Sequence, residues 1–115
     1  MRKIGEGEPT SGQGAVGILR KVETLEDVLR LMETDLSETI VFTPSASVTA
    51  VTPILPKIRG IICASGGFTS HLAIVAREFD LPCLMGSRLE EEVSAFEGRR
   101  IRFTAQGEIF LEEEA

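Results

Sequence analysis

The chain has no tryptophan, no tyrosine, a single histidine and only two cysteines among its 115 residues. Its core therefore has to be built from Ile, Val, Leu, Ala and six Phe. No apolar run approaches the ~20 residues that a membrane-spanning helix needs, so no membrane partner is expected. Met1-Arg2-Lys3-Ile4-Gly5 carries charge with no apolar segment behind it, so no signal peptide is expected. Cys63 and Cys83 both lie in apolar stretches. They are expected to be buried thiols in a reducing cytoplasm, with no bridge between them. A zinc site made of Cys63, His71 and Cys83 would lack a close ligand pair and have too few ligands for a structural centre. Positive charge is also in short supply. The net charge of −6 would repel the phosphates of a nucleic acid. Only Arg99, Arg100 and Arg102 cluster, and strand alternation splits their directions. There is no Gly-x-x-x-x-Gly-Lys-Ser/Thr loop, and so no nucleotide or Mg²⁺ site of that kind.

The length predicts one domain, residues 1–115, large enough to bury a core without metals or disulfides. Gly5 to Gly17 holds five glycines with Pro9, Thr10 and Ser11, which reads as turn material leading into an extended segment from Ala15 to Val22. Thr24 starts a helix with Asp27 as its capping-box partner, and Leu25, Val28, Leu29 and Met32 share one face. Thr39 to Thr43 is a strand ending at Pro44. Ser45 to Thr52 is small and hydroxyl-rich with no clear period, and Pro53 and Pro56 bracket a short irregular helix or turn. Gly60 to Ala64 reads as a strand covered on both faces. In the helix from His71, Leu72, Val75, Ala76 and Phe79 form the buried stripe, while Ala73, Arg77 and Asp80 face outward. Pro82 to Gly86 is another strand, and Leu89, Val93 and Phe96 suggest a short helix. Arg99 to Thr104 and Glu108 to Leu111 flank a closing hairpin, and Glu112, Glu113 and Glu114 form a solvated tail. The strand–loop–helix–strand order from Ile61 to Met85 makes that part of the sheet parallel, and strands near the chain ends add antiparallel or separate-sheet character. The fold class expected is α/β with mixed sheets.

Gly66-Gly67-Phe68-Thr69-Ser70-His71 carries the chemistry. Free imidazole titrates near pH ~6.5, so near neutrality it is an uncharged nucleophile able to take a phosphoryl group. The anionic product needs donors. A helix start supplies unpaired N–H groups and partial positive charge. Gly66 and Gly67 leave room, Thr69 and Ser70 add hydroxyls, and Ser70 can also cap the helix. Such a loop positions a phosphoryl group but cannot activate a donor or an acceptor, which then falls to other domains.

The run from Gly66 to Glu78, followed by Leu81-Pro82 and Gly86, resembles the phosphohistidine signature of the PEP-utilising enzymes: phosphoenolpyruvate synthase, pyruvate phosphate dikinase, enzyme I and rifampin phosphotransferase. Gly7-Glu8-Pro9-Thr10-Ser11-Gly12-Gln13-Gly14 resembles the Gly-x-Pro-x-Ser-Pro-Gly segment that begins the same domain, and Gly98 and Gly107 sit where that domain closes. The resemblance implies a swivelling β/β/α phosphohistidine domain in which His71 carries phosphate between distant sites, with Gly66, Gly67, Thr69 and Ser70 around the phosphoryl group. It implies an ATP-grasp protein, a PEP/pyruvate-binding barrel protein, or both, acting in trans. No cofactor is expected on this domain, with Mg²⁺ at the partner domains. Thr69 falls where the dikinase carries a regulatory phosphothreonine, which needs a dedicated partner. The chain departs from the family at Gly12-Gln13, where Pro-Gly is usual, and in the acid-free run Phe42 to Thr49.

Two rivals stand beside the carrier. One is a docking or regulatory swivelling module without transfer activity. The other is a small subunit closing over another enzyme's active site, offering the Ser70 hydroxyl rather than a phosphorylated imidazole. Arg77 is expected to meet a partner or a neighbouring acid.

Overall fold

In a computed structural model that describes residues 1–45 and 51–112, seven strands form one mixed sheet that closes on itself. The strands are β1 (Arg2–Pro9), β2 (Ala15–Lys21), β3 (Thr39–Thr43), β4 (Gly60–Cys63), β5 (Cys83–Leu89), β6 (Arg100–Phe103) and β7 (Glu108–Leu111). Around the barrel they run β1-β5-β4-β3-β2-β6-β7. The strands β2, β3, β4 and β5 are parallel neighbours, and β1, β6 and β7 complete the circle with antiparallel pairs. The chain-end strands do not form a separate sheet. Instead they remove both free edges, which an open sheet would leave unpaired.

The parallel strands need crossovers, which the helices α1 (Leu25–Leu31) and α2 (His71–Glu78) and a 3₁₀ segment, Thr52–Lys57, supply. Alternation along the strands divides the core in two. Leu19, Ile40, Phe42, Ile62, Leu84, Ile101, Phe103 and Ile109 pack in one cluster inside the barrel. Val41, Ile61, Cys63, Cys83 and Met85 point the other way and meet Val28, Ile54, Leu55, Leu72, Ala73 and Ala76 from the covering segments. All of β4 is buried, as a strand covered on both faces must be.

The glycine-rich start is strand as well as turn. Gly5 and Gly7 lie inside β1, where a Cβ would collide with the Arg88 carbonyl oxygen or the Ser87 hydroxyl of the neighbouring strand. The glycines that read as turn formers are here for close backbone approach. The capping box at α1 forms as expected. The Asp27 amide donates to Thr24 Oγ1 (3.2 Å), and Asp27 Oδ2 accepts from the Thr24 and Glu23 amides (3.1 and 2.8 Å). The Glu23 amide above all holds the Asp27 carboxyl below its ordinary range. The apolar face of α1 does not bury as a unit, because Val28 alone is buried while Leu25, Leu29 and Met32 are about half exposed or more (61 %, 54 % and 48 %). The helix is seven residues long and touches the sheet along one narrow line. The helix expected near Phe96 is a 3₁₀ turn, Val93–Ala95, and Leu89 belongs to β5. Within the run Ser45 to Thr52, residues 46–50 lie outside the described residues, as do Glu113 and Glu114 of the acidic tail. Glu112 is not free, since its Oε2 accepts from Arg102 Nε at 3.2 Å. No described helix is long and apolar enough to cross a membrane.

Candidate functional site

Strand β4 delivers the chain into the loop that precedes α2. Gly66 adopts φ 79°, a conformation that costs a side-chain-bearing residue free energy. The Gly86 amide donates to the Ser65 carbonyl (3.2 Å), which ties the loop base to β5. The Ser70 amide then donates to Gly67 O (3.0 Å), closing a turn with Phe68 and Thr69 at its centre. His71 follows as the first residue of α2, and its side chain is exposed. The grooves lined by other parts of the described surface include one beside α1. It has a volume of about 460 Å³ and runs between β2 and α1, lined by Arg20, Lys21, Asp27 and Arg30 among others.

The amides of His71, Leu72 and Ala73 open the helix and have no intrahelical acceptor, and Ile74 is the first to reach back, to Ser70 O (3.0 Å). Ser70 occupies the N-cap position by its backbone (φ −63°, ψ 148°), but its hydroxyl makes no cap hydrogen bond. Its Oγ accepts from the Gly67 amide at 2.8 Å instead. The expected capping role is thus corrected, because the tight turn brings the upstream amide to Oγ before the helix can. Thr69 is exposed on the turn, beside Ser70 and His71 in the chain.

Two further expectations change. The buried face of α2 is Leu72, Ala73 and Ala76, with Val75 half-buried and Phe79 47 % exposed. Ala73 turns inward because its small side chain lets the helix lie close to the sheet. Phe79 is the C-cap, and the chain reverses at Asp80 (φ 57°), so the ring leaves the stripe. Arg77 meets no described acid. Its Nη1 donates to Phe68 O (2.9 Å), and its guanidinium lies 3.9 Å from the centre of the Phe68 ring.

The end of β1 comes against this loop, and the glycine-rich segment after it meets β5 and the far end of α2, a convergence that spacing along the chain cannot reveal. Glu8 Oε1 would lie 3.3 Å from a Cβ on Gly67. Gln13 Nε2 donates to Asp80 Oδ1 (2.9 Å) at the far end of α2, and Ser11 Oγ accepts from the Cys83 amide (3.3 Å).

No group of three His, Cys, Asp or Glu side chains able to hold a metal occurs among the described residues. Cys63 and Cys83 are buried free thiols behind the loop. Burial pushes both up, Cys83 to about 11. At pH 8 a group with that pKa is about one-thousandth thiolate, the reactive form. Both thiols are expected to resist Ellman's reagent at pH 8 in the folded protein and to react promptly in guanidinium chloride. Fast labelling of either without denaturant would contradict the packing described.

The family described as PEP-utilising enzyme, mobile domain, matches residues 36–102, which include the whole loop and α2. The chain belongs to this family. It is 33 % identical over 85 residues to a probable phosphoenolpyruvate synthase of Methanothermobacter thermautotrophicus, a match covering 74 % of this chain and 11 % of that protein. It is 29 % identical over 75 residues to the rifampicin phosphotransferase of Bacillus subtilis, covering 65 % of this chain and 8 % of that one. The chain thus spans about a tenth of these relatives' length. Among solved structures, a UPF0107 protein determined by NMR superposes with a TM-score of 0.61 at 13 % identity, covering 94 % of this chain and 98 % of that one. The N-terminal domain of a nitrogen-type enzyme I superposes with a TM-score of 0.51 at 18 % identity, covering 76 % and 38 %. These two likenesses concern the fold alone.

Proposed function

We propose that this domain is a phosphohistidine carrier. A ring nitrogen of His71 attacks the phosphorus of a donor held by another domain or protein. The N–P bond forms, the P–O bond to the leaving group breaks, and that oxygen departs with the electron pair. A second site then receives the phosphoryl group by the reverse displacement. The amides of His71, Leu72 and Ala73 stabilise the added charge, with the Thr69 hydroxyl beside them. Ser70 and Gly67 join once their mutual hydrogen bond opens. The donor is PEP or ATP, presented by a PEP/pyruvate-binding barrel, an ATP-grasp protein, or both, with Mg²⁺ held there. The observation that carries this reading is an exposed His71 side chain on the first residue of α2, where the amides of His71, Leu72 and Ala73 have no intrahelical acceptor. A group that must be handed between proteins needs such access, whereas a substrate cleft would obstruct it.

The test is transfer in trans. The isolated domain is incubated with the catalytic domains of a PEP synthase and either [³²P]PEP or [γ-³²P]ATP with Mg²⁺. Label that is lost in acid and kept in base is expected on the domain. Absence of label with PEP synthase, dikinase and enzyme I partners alike would favour the docking module.

A further inference from the structure

We propose that Arg77 is a positioning residue: it locks the peptide between Phe68 and Thr69 in one orientation, so that the Thr69 N–H is offered to a phosphoryl group on His71. This rests on the carrier reading of His71.

The hydrogen bond from the Ser70 amide to Gly67 O makes Gly67 to Ser70 a β-turn whose central peptide joins Phe68 to Thr69. That peptide is the unit that differs between type I and type II turns, where it is rotated by about 180° and its carbonyl and amide exchange faces. Two features oppose the rotation here. Arg77 Nη1 donates to the Phe68 carbonyl (2.9 Å) while its guanidinium stacks on the Phe68 ring (3.9 Å to the centroid). A hydrogen bond from a charged donor is about twice as strong as a neutral one. The rotated turn would also need positive φ at Thr69. Asp80 alone among the described non-glycine residues has it, and a β-branched side chain strongly disfavours it.

The consequence concerns the amide. No peptide bond in the described chain is cis, so the carbonyl and N–H of the Phe68–Thr69 unit point in opposite directions. With the Phe68 oxygen held by Arg77, the Thr69 N–H faces away from α2's last turn, and it makes no described hydrogen bond. The Gly67 amide is engaged by Ser70 Oγ. Thr69 therefore offers a ready backbone donor, as the Phe68 amide on the other side of the ring-bearing residue also does, and the Arg77 bond fixes the direction of the Thr69 one. Arg77 acts through the loop and does not itself touch the phosphoryl group.

Potassium phosphoramidate tests this without a partner protein. The His71 ring nitrogen forms a bond to phosphorus and the bond from phosphorus to ammonia breaks. Ammonia leaves with that electron pair and takes up the ring proton. Wild type, Arg77→Met, Arg77→Lys and Phe68→Ala are compared by ³¹P NMR for the rate of phosphohistidine formation and its hydrolytic lifetime. The Phe68 carbonyl ¹³C and Thr69 amide ¹⁵N shifts of the unphosphorylated proteins report the lock. Arg77→Met is expected to form phosphohistidine about tenfold more slowly, less than the ~10²–10³ for outright removal of an oxyanion donor because the Thr69 amide is misoriented rather than deleted, and to shorten its lifetime. It should move both shifts while the rest of the spectrum stays in place. Arg77→Lys keeps a donor and should recover part of the rate. Phe68→Ala loses the ring but keeps the carbonyl, and should stay within about threefold of wild type, since an exposed cation–π contact is weak. Wild-type rate and lifetime in Arg77→Met overturn the proposal, whatever the shifts. So does Phe68→Ala as slow as Arg77→Met, which would assign the effect to the ring. If wild type takes no phosphate, the carrier reading fails by itself, and an unmoved Phe68 carbonyl in Arg77→Met overturns the lock as well.

Discussion

Alanine at position 71 is expected to abolish acid-labile phosphate on the domain while leaving its unfolding midpoint within the range of ordinary surface substitutions, about ±0.5 kcal/mol. The two halves of this result have separate causes. His71 is the only histidine, so no second imidazole can substitute. Its side chain is exposed and packs in neither core cluster, so removing it empties no core. The phosphate linkage decides between readings, because an N–P bond hydrolyses in acid whereas a seryl or threonyl ester survives it. Ser70→Ala should behave differently. It removes the acceptor of the Gly67 amide, which loosens the turn but frees that amide, so transfer should fall without vanishing. Label that survives His71→Ala, or is acid-stable, would end the phosphohistidine reading. Partner-dependent activity that survives His71→Ala and is lost in Ser70→Ala would instead favour the small-subunit role.

The largest effect on stability is expected from Gly107→Ala. Gly107 has φ 95°, and a Cβ there would collide with the Gly7 carbonyl oxygen, while the Gly7 amide donates to Gly107 O at 2.8 Å. The turn between β6 and β7 can lie this close to the Gly7 carbonyl only because Gly107 lacks a side chain. The left-handed conformation alone costs a non-glycine residue ~1–3 kcal/mol. Forcing backbone apart adds ~1–3 kcal/mol, as overpacking does. The sum is a large share of the ~5–15 kcal/mol that hold a typical domain together. Gly12→Ala is the matched comparison, since Gly12 also has positive φ (72°) but open space around it. It should show the conformational cost alone. Urea midpoints read both, and equal losses in the two variants would mean that the barrel is not closed at Gly107 as described.

Much of this architecture was legible along the chain because it is governed by local rules. The start of α2 at His71, the continuous apolar run of β4, the capping box at Thr24 and the terminal hairpin all follow from neighbours a few residues apart. The readings that changed depend on contacts between distant segments. Gly5 and Gly7 look like turn residues until Ser87 and Arg88 are placed beside them. Leu25, Leu29 and Met32 look like a core stripe until α1 is seen to touch the sheet through Val28. Ser70 looks like a helix cap until the turn sends the Gly67 amide to its hydroxyl. Arg77 looks ready for a partner or a neighbouring acid until Phe68 folds back over it.

The amino-acid order alone determined which residue can serve as the nucleophile, since there is one histidine, and it placed that histidine at a helix start behind two glycines, because periodicity and backbone freedom act over short distances. It also carried the family signature around that residue. Only the tertiary structure decided that the chain-end strands close a barrel, that the end of β1 lies against the histidine loop while the segment after it meets β5 and the far end of α2, and which loop amides are engaged. Those outcomes depend on how surfaces far apart in sequence exclude or satisfy one another, and no local pattern encodes that competition.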